Sequence, residues 1–375
     1  MTRDPDRRRL VAALSAGGLA GLATSRAQAE APPEPEVTWH LVSSFPKTLD
    51  LIYGGAERFA KTVGDLTGGR FKIEVSPPTD AVGGLAVLDA IEARTIEATQ
   101  TSLDYFYGKD PSFALATSVP FGMNARQQYA FATQGGGNAQ VDALLETGNA
   151  IAFPAGNTGA QMGGFFKKEI KSAADLNGLK IRIGGLAGRV LQKLGAIPVA
   201  TPRAEILSAL QSGALDAVTW VSPHDDEIFA KDEAGTSIQK LAPNYFYPGF
   251  WKGGSVVHIV VNKAKYGALA PAYQAAIRAA AGDGYSDMLA RYDTANSAAL
   301  RRLVIAGTQL RPLPQDVLEL AYKATTDVFR EISDGNPRFK SNLDALIAFR
   351  NEAYLWWQVG EYTFDNFNIR QRAKG

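Results

Sequence analysis

Apolar residues recur along this chain at two spacings, and segments of the two kinds take turns. Val37, Trp39 and Leu41 alternate with Thr38 and His40, which predicts a strand. Ile52, Phe59, Val63 and Leu66 then fall near helical spacing, and Gly68-Gly69 stops that helix. Phe71, Ile73 and Val75 form a second strand ended by Pro77-Pro78, and a helix through Val87, Ala90 and Ile91 follows. A second block of the same kind runs from about 155 to about 241. In it Leu179, Ile181 and Ile183 make one face of a strand, with Lys180 and Arg182 on the other. Gly184-Gly185 breaks this strand, and Val190, Leu191 and Leu194 mark a helix. After Trp251 the chain returns to an apolar strand, Val256–Val261. The rest is helical: an alanine-rich stretch 270–306, either one long helix or two joined near Gly282–Gly284, then 314–333 and 341–366.

Strands alternating with helices predict an α/β fold around a largely parallel sheet. An internal echo supports duplication. Val87-Leu88-x-Ala90-Ile91 recurs as Ile206-Leu207-x-Ala209-Leu210, and each is followed by a short strand start, Ile96-Glu97-Ala98 and Leu215-Asp216-Ala217. The chain has 375 residues, more than one hydrophobic core usually serves, so two lobes are expected. A chain that leaves one lobe, builds a second and returns makes a hinged cleft, where ligands tend to bind.

Charge matters mainly at the start. Residues 1–29 carry five arginines and two aspartates, net +3, against +1 for the whole chain, which leaves −2 from Glu30 onward. No long basic run remains, so nucleic acid is not an expected partner. Arg7-Arg8-Arg9 precedes a short apolar run from Leu10 to Ala23, and Ala27-Gln28-Ala29 follows as a small-x-small cleavage pattern. This order predicts an export signal over 1–29, with the paired arginines resembling the twin-arginine type. Residues 30–36 read as an acidic, proline-rich linker. The chain has no cysteine, which excludes disulfides, thiolate catalysis and thiolate metal sites.

Catalytic patterns are scarce. There are three histidines, His40, His224 and His258, and no HExxH, GxSxG or phosphate-loop motif. Gly184-Gly185-x-x-Gly188 leaves free amides at a helix start, which suit an anionic group. Arg182, on an otherwise apolar strand just before that turn, is either a carboxylate clamp or an exposed arginine behind a buried face. The run Asn157-Thr158-Gly159-Ala160-Gln161-Met162-Gly163-Gly164 lets backbone approach a ligand. Trp220 walls a pocket or fills a core. Asp225-Asp226-Glu227 reads as a solvated loop rather than a metal site, because three consecutive carboxylates do not converge easily on one ion.

The stretch Asp175-Leu176-Asn177-Gly178-Leu179-Lys180-Ile181-Arg182-Ile183, then Leu194-Gly195-Ala196-x-Pro198-Val199, then Glu205-Ile206 to Asp216-Ala217, closely resembles the solute receptors of TRAP transporters. Within them the chain looks most like the α-keto acid-binding branch, through Asn157-Thr158-Gly159-x-Gln161-Met162-Gly163-Gly164, Gly108-Lys109-Asp110-Pro111 with Val119-Pro120-Phe121-Gly122, and Trp220-Val221-x-Pro223-x-Asp225-Asp226-Glu227. The resemblance implies a two-lobe periplasmic binding protein-like fold with a long connecting helix and a helical C-terminal region. It places lobe I at 37–154 with 245–270, lobe II at 155–244, and the connecting and C-terminal helices at 271–375, packing on lobe I. It implies that Arg182 grips a ligand carboxylate and that Gln161 and Trp220 complete the site, with Asn157 and Tyr245 as further ligand contacts. It also implies a sodium or calcium ion beside the carboxylate, held by Gln161, by an acidic residue before the tryptophan and by the Trp220 carbonyl. This chain has Thr219 at that acidic position, a neutral hydroxyl in place of a full negative charge. A weaker ion site, a metal-free site and a different ligand all remain open.

The expected function is that of a periplasmic, non-catalytic receptor. It would close on a small monocarboxylate, a 2-oxo acid such as pyruvate or a related acid, and deliver it to the membrane subunits of a TRAP transporter. The alternatives are a receptor for another carboxylate, a receptor for an ATP-driven importer, and an exported enzyme, which lacks an evident nucleophile. The aromatic tail Leu355-Trp356-Trp357 with Tyr362, Phe364 and Phe367 either pairs two copies as a homodimer or covers the protein's own core.

Overall fold

A computed structural model describes residues 34–228 and 237–372. The expected export signal and most of the linker lie outside the described residues. From Glu36 onward the chain forms one compact unit built on two sheets.

The first sheet has the order β2-β1-β3-β10-β4, from β1 (Val37–Ser43), β2 (Phe71–Ser76), β3 (Ala98–Thr101), β4 (Ala150–Asn157) and β10 (Val256–Asn262). The second has the order β11-β9-β5-β8-β6-β7, from β5 (Gly164–Phe166), β6 (Lys180–Arg182), β7 (Ile197–Val199), β8 (Ala217–Val218), β9 (Asn244–Tyr247) and β11 (Gln309–Pro312). β1 lies parallel between β2 and β3, and β6 lies parallel between β7 and β8. β10 is antiparallel to β3 and β4, and β5 is antiparallel to β8 and β9. Each sheet is therefore mixed rather than largely parallel. The antiparallel strand in each is the one that enters directly from the other sheet, after β4 for β5 and after β9 for β10. The sequence echo falls on equivalent pieces: the helices Val87–Glu92 and Ile206–Ser212 lead into β3 and β8, which lie parallel beside β1 and β6.

Strand alternation sends neighbouring residues to opposite faces. Leu41 and Ile259 join Phe59, Val63 and Ile277 on one side of the first sheet, while Val42 and Val260 join Val87, Ile91 and Leu103 on the other. In the second sheet Phe166, Ile181 and Phe246 face one core, and Phe165, Val218 and Tyr245 face another. Each such fully buried aromatic or branched side chain contributes roughly 1.5–3 kcal/mol.

The alanine-rich segment is one helix, Pro271–Ile305, with proline at its start. Gly282 and Gly284 do not break it, because its tertiary packing outweighs their poor helix propensity. A Cβ on Gly284 would lie 2.9 Å from the Ala155 carbonyl, so glycine lets the helix sit directly on β4. Helices Gln315–Gly335 and Pro337–Trp357 follow, then a wide turn at Gln358–Tyr362 and a last helix, Thr363–Arg372.

The lobe bounds differ from the sequence expectation in several places: residues 155–157 end β4 of the first sheet, and β11 (Gln309–Pro312) pairs into the second. Residues 245–247 pair with β5 and belong to the second sheet, since Tyr245 and Phe246 are both fully buried there. The C-terminal helices do not pack on the first lobe alone. Val317, Ala321, Val328 and Leu343 share a core with Ile181, Leu186 and Val190 of the second sheet and with Val119 and Phe131.

The two short passages between the sheets, 158–163 and 248–255, run side by side. Thr158 N donates to Ser255 O at 3.2 Å, Gln161 N to Lys252 O at 3.2 Å and Gly249 N to Gln161 O at 3.0 Å. A Cβ on Gly249 would lie 2.6 Å from the carbonyls of Gln161 and Met162, so only glycine allows this approach.

Candidate functional site

A cleft of about 650 Å³ opens where the carboxyl ends of β6 and β8 meet the paired passages. In layered α/β folds this is where ligands settle. β6 and β8 are in parallel register, Arg182 opposite Val218, which brings Arg182 and Thr219 together at adjacent strand ends. Thr219 N donates to Arg182 O at 3.2 Å, and Thr219 Oγ1 donates to the same oxygen at 3.1 Å. Arg182 Nη1 donates to Thr219 O at 3.0 Å and Nε to Thr201 O at 3.3 Å. Its guanidinium carbon lies 4.6 Å from the centre of the Trp220 ring.

Three neutral groups thus hold the guanidinium in place. Among the described residues no carboxylate lies within ion-pair distance of it. Burial pulls the Arg182 guanidinium below its usual range, an effect that Tyr105 partly offsets. A desolvated cation held by carbonyls and a ring, facing a cleft, has the chemistry to receive an anion. The first turn of the helix Gly185–Lys193 also lines the cleft, and no side chain caps its amides.

Gln161, Thr219 and Trp220 line the same cleft, as the sequence suggested. Asn157 and Tyr245, expected as ligand contacts, do not reach it. Asn157 is fully buried, with Nδ2 donating to Gln128 Oε1 and Tyr285 Oη, each at 2.8 Å, and Oδ1 accepting from Gly159 N at 2.9 Å. Its hydrogen bonds fix the start of the first passage. Tyr245 is fully buried, stacks on Phe165 at 4.2 Å and donates to Asp226 Oδ2 at 2.5 Å. Both support the site from behind.

The acidic run is not a solvated loop. Asp225 and Asp226 are buried in the helix Pro223–Ile228, where Asp225 Oδ2 accepts from Tyr292 Oη at 2.7 Å, and only Glu227 reaches the surface, paired with Arg302. Burial pushes the Asp225 carboxyl up to about 6 and that of Asp226 to about 7. His224 Nε2 lies 2.8 Å from Asp50 Oδ1, joining this helix to the helix Asp50–Leu66.

Sequence reading missed Lys252 and Asp104, which also line the cleft. Lys252 Nζ donates to Asp104 Oδ2 at 2.7 Å, and Ser102 Oγ donates to Asp104 Oδ1 at 2.7 Å. Burial alone would raise the Asp104 carboxyl, but Lys252 and Ser102 hold it below the usual carboxylate range. The one local signal was a lone lysine between Phe250-Trp251 and Gly253-Gly254.

The donors expected around a cation are neutral. Gln161 Nε2 donates to Thr158 Oγ1 at 3.2 Å, leaving its amide oxygen as the atom to offer. Among the described residues no cluster of three or more His, Cys, Asp or Glu side chains is placed to hold a metal. Amide and carbonyl oxygens do suit hard cations such as sodium and calcium, provided the ligand's own carboxylate completes the shell.

Two sheets of like strand order, a cleft between them and an uncompensated guanidinium in its wall define a two-lobed solute receptor. The family model for bacterial extracellular solute-binding proteins, family 7, matches residues 42–336, and the chain belongs to that family, the solute receptors of TRAP transporters. It is 44% identical over 333 residues to a monocarboxylate 2-oxoacid-binding periplasmic protein of Nostoc sp., covering 89% of each. The structure of a TRAP transporter solute-binding protein from Bordetella bronchiseptica matches with a TM-score of 0.84 and 39% identity, over 91% of this chain and 99% of that one. That structure is a mixed-occupancy dimer with copurified calcium and picolinate in one site. A third relative, from Pseudoalteromonas atlantica, holds sodium and pyruvate and matches with a TM-score of 0.81 and 28% identity, over 88% of this chain and 99% of that one. Homologous structures thus carry calcium or sodium together with a carboxylate ligand. The protein is an extracytoplasmic, periplasmic receptor, and no described helix is long and apolar enough to cross a membrane.

Proposed function

We propose that this receptor captures a small 2-oxo monocarboxylate, pyruvate or a longer homologue, and passes it to the membrane subunits of a TRAP transporter. The observation that carries the reading is Arg182, a desolvated guanidinium in the cleft wall with no carboxylate partner among the described residues. Its remaining donors match the two oxygens of one carboxylate. Trp220 stacks on it from one side, and Phe45, Ile52, Leu186 and Trp251 supply apolar wall for a short carbon tail. Thr219 adjoins Arg182 and Gln161 lines the same cleft, and Gln161 and the Trp220 carbonyl would hold a cation. A sodium or calcium ion bound there supplies positive charge to the ligand carboxylate.

Closure follows from the paired passages, which are the short covalent links between the sheets on this side of the molecule. Binding that favours the closed arrangement shifts the population toward it, and opening releases the ligand. The protein performs no catalysis in this reading. His40 sits exposed between Glu74 and Glu97, burial lowers His258 to about 3 and so keeps it neutral, and His224 is engaged with Asp50. We also assign the exposed aromatic tail to pairing of two copies, in line with the dimer of the Bordetella relative.

The test is calorimetric titration of the mature protein, freed of ligand by unfolding and refolding, with pyruvate and longer 2-oxo acids. Arg182→Ala should keep the melting temperature and lose affinity by about 100-fold or more, the loss of charge-assisted hydrogen bonds to a carboxylate. Near-normal affinity in that variant overturns the carboxylate clamp.

A further inference from the structure

We propose that Asp104 decides the charge of the ligand this cleft accepts, by neutralising Lys252 and so barring acids with a second carboxylate. The inference rests on the reading of the cleft as a carboxylate site and adds a residue that sets its specificity.

Among the described residues four charged side chains line the cleft: Arg182, Arg203, Lys252 and Asp104. Arg203 makes an exposed contact to Thr48 Oγ1 at 3.2 Å. Arg182 is held only by neutral groups and offers its charge to a ligand. Lys252 differs. Its ammonium has three donors, and its one partner among the described residues is Asp104 Oδ2 at 2.7 Å, in a pair whose side chains are only 23% and 19% exposed. The pair is locked from both ends. Ser102 Oγ holds the other carboxylate oxygen at 2.7 Å, Asp104 N donates no further than Thr117 Oγ1 at 3.1 Å, and the Lys252 carbonyl accepts from Gln161 N. Lys252 therefore stands beside a residue of the anion site, and among the described residues Asp104 is the only acid that lines the cleft.

Charge decides what such a site admits. With Asp104 ionised, the lysine adds no net charge, and a second ligand carboxylate beside this pair would approach Asp104 and lose water without gaining the lysine as a free cation. Discrimination then comes from a built-in repulsive element as well as from the attraction of Arg182. Replacing Asp104 by asparagine keeps the shape and a hydrogen-bond acceptor for Lys252 but frees its charge.

The experiment compares pyruvate and 2-oxobutyrate with oxaloacetate and 2-oxoglutarate by calorimetry, all at one fixed calcium concentration. In Asp104→Asn the affinity ratio should move toward the dicarboxylates by at least about tenfold, the effect of one partly screened charge. The double variant Asp104→Asn with Lys252→Met should show no such gain. Lys252→Gln alone leaves Asp104 unbalanced in the cleft and should weaken pyruvate binding, which supplies a test if Asp104→Asn does not fold. An unchanged ratio in folded Asp104→Asn, or an equal gain in the double variant, overturns the role of Asp104 while leaving the carboxylate site standing. Failure of the unaltered protein to bind any of these acids overturns the proposed function itself.

Discussion

Thr219 shows how one neutral side chain shapes the site. Both of its oxygens are engaged with Arg182: the carbonyl accepts from Nη1 at 3.0 Å and Oγ1 donates to the Arg182 carbonyl at 3.1 Å. A carboxylate here would compete with the ligand for the guanidinium unless a cation balanced it. Thr219→Glu should therefore weaken pyruvate binding about tenfold in the presence of a chelator and recover with millimolar calcium. Titration of the variant in both conditions decides this, and equal affinities would place any cation away from Thr219. The strand and glycine turn made Arg182 a candidate but left it open as an exposed arginine; the resemblance to TRAP receptors singled it out, and its side chain lines the cleft. The bracing role of Asn157 and Tyr245 was not legible in the sequence, since a polar group that braces a site from behind has the same residue type as one that touches ligand. The Lys252–Asp104 pair was invisible because its members lie 148 residues apart and meet only through the crossing of the chain between sheets.

At the scale of elements, the short helix Pro223–Ile228 fastens the segment after Trp220 to two others. Asp226 accepts from Val221 N at 2.9 Å and from Tyr245 of β9, while Asp225 accepts from Tyr292 of the long helix, near His224 and Asp50. Burial, opposed by the Tyr245 and Val221 hydrogen bonds and aided by Asp225, raises Asp226 from 3.8 to about 7. An acid whose folded pKa is raised binds its proton more tightly when folded. Its contribution to stability is full below about 3.8 and is lost as pH rises through about 7. In thermal melts between pH 4 and pH 7, Asp226→Asn should remove part of the decline seen in the unaltered protein, on the order of 5 °C. Parallel melting curves for the two proteins would assign the decline to other groups. The sequence suggested a solvated loop here because consecutive acids usually are one. The tyrosines that satisfy them come from positions 245 and 292, beyond the reach of local pattern. Periodic strands and helices were legible where a single face is buried. Strand direction was not, because whether a strand runs parallel depends on which sheet it arrives from.

For the whole molecule, the equivalent strand order of the two sheets gives the duplication hinted at by the echo a structural form, and the exchange of strands across the paired passages makes the cleft. The tail is joined to the body of the protein through Arg126, which pairs with Glu361 and lies over the Trp357 ring, but much of its apolar surface is open. Leu355, Trp356, Val359, Tyr362, Phe364, Phe367 and Ile369 are 57–71% exposed, and no residue of the last helix is buried. Seven large apolar side chains in one short segment exceed what a soluble monomer usually leaves in water. Each would gain roughly 1–2 kcal/mol on burial against a second copy, enough in sum to hold two chains together after the cost of association. None of these residues lines the cleft, so pairing and ligand capture should separate. Sedimentation velocity should find the unaltered protein as a dimer and Trp356→Glu with Phe364→Glu as a monomer, with pyruvate affinity unchanged within about twofold. A monomeric unaltered protein would assign the tail elsewhere, and loss of ligand binding together with the dimer would mean that the second copy holds the cleft in shape.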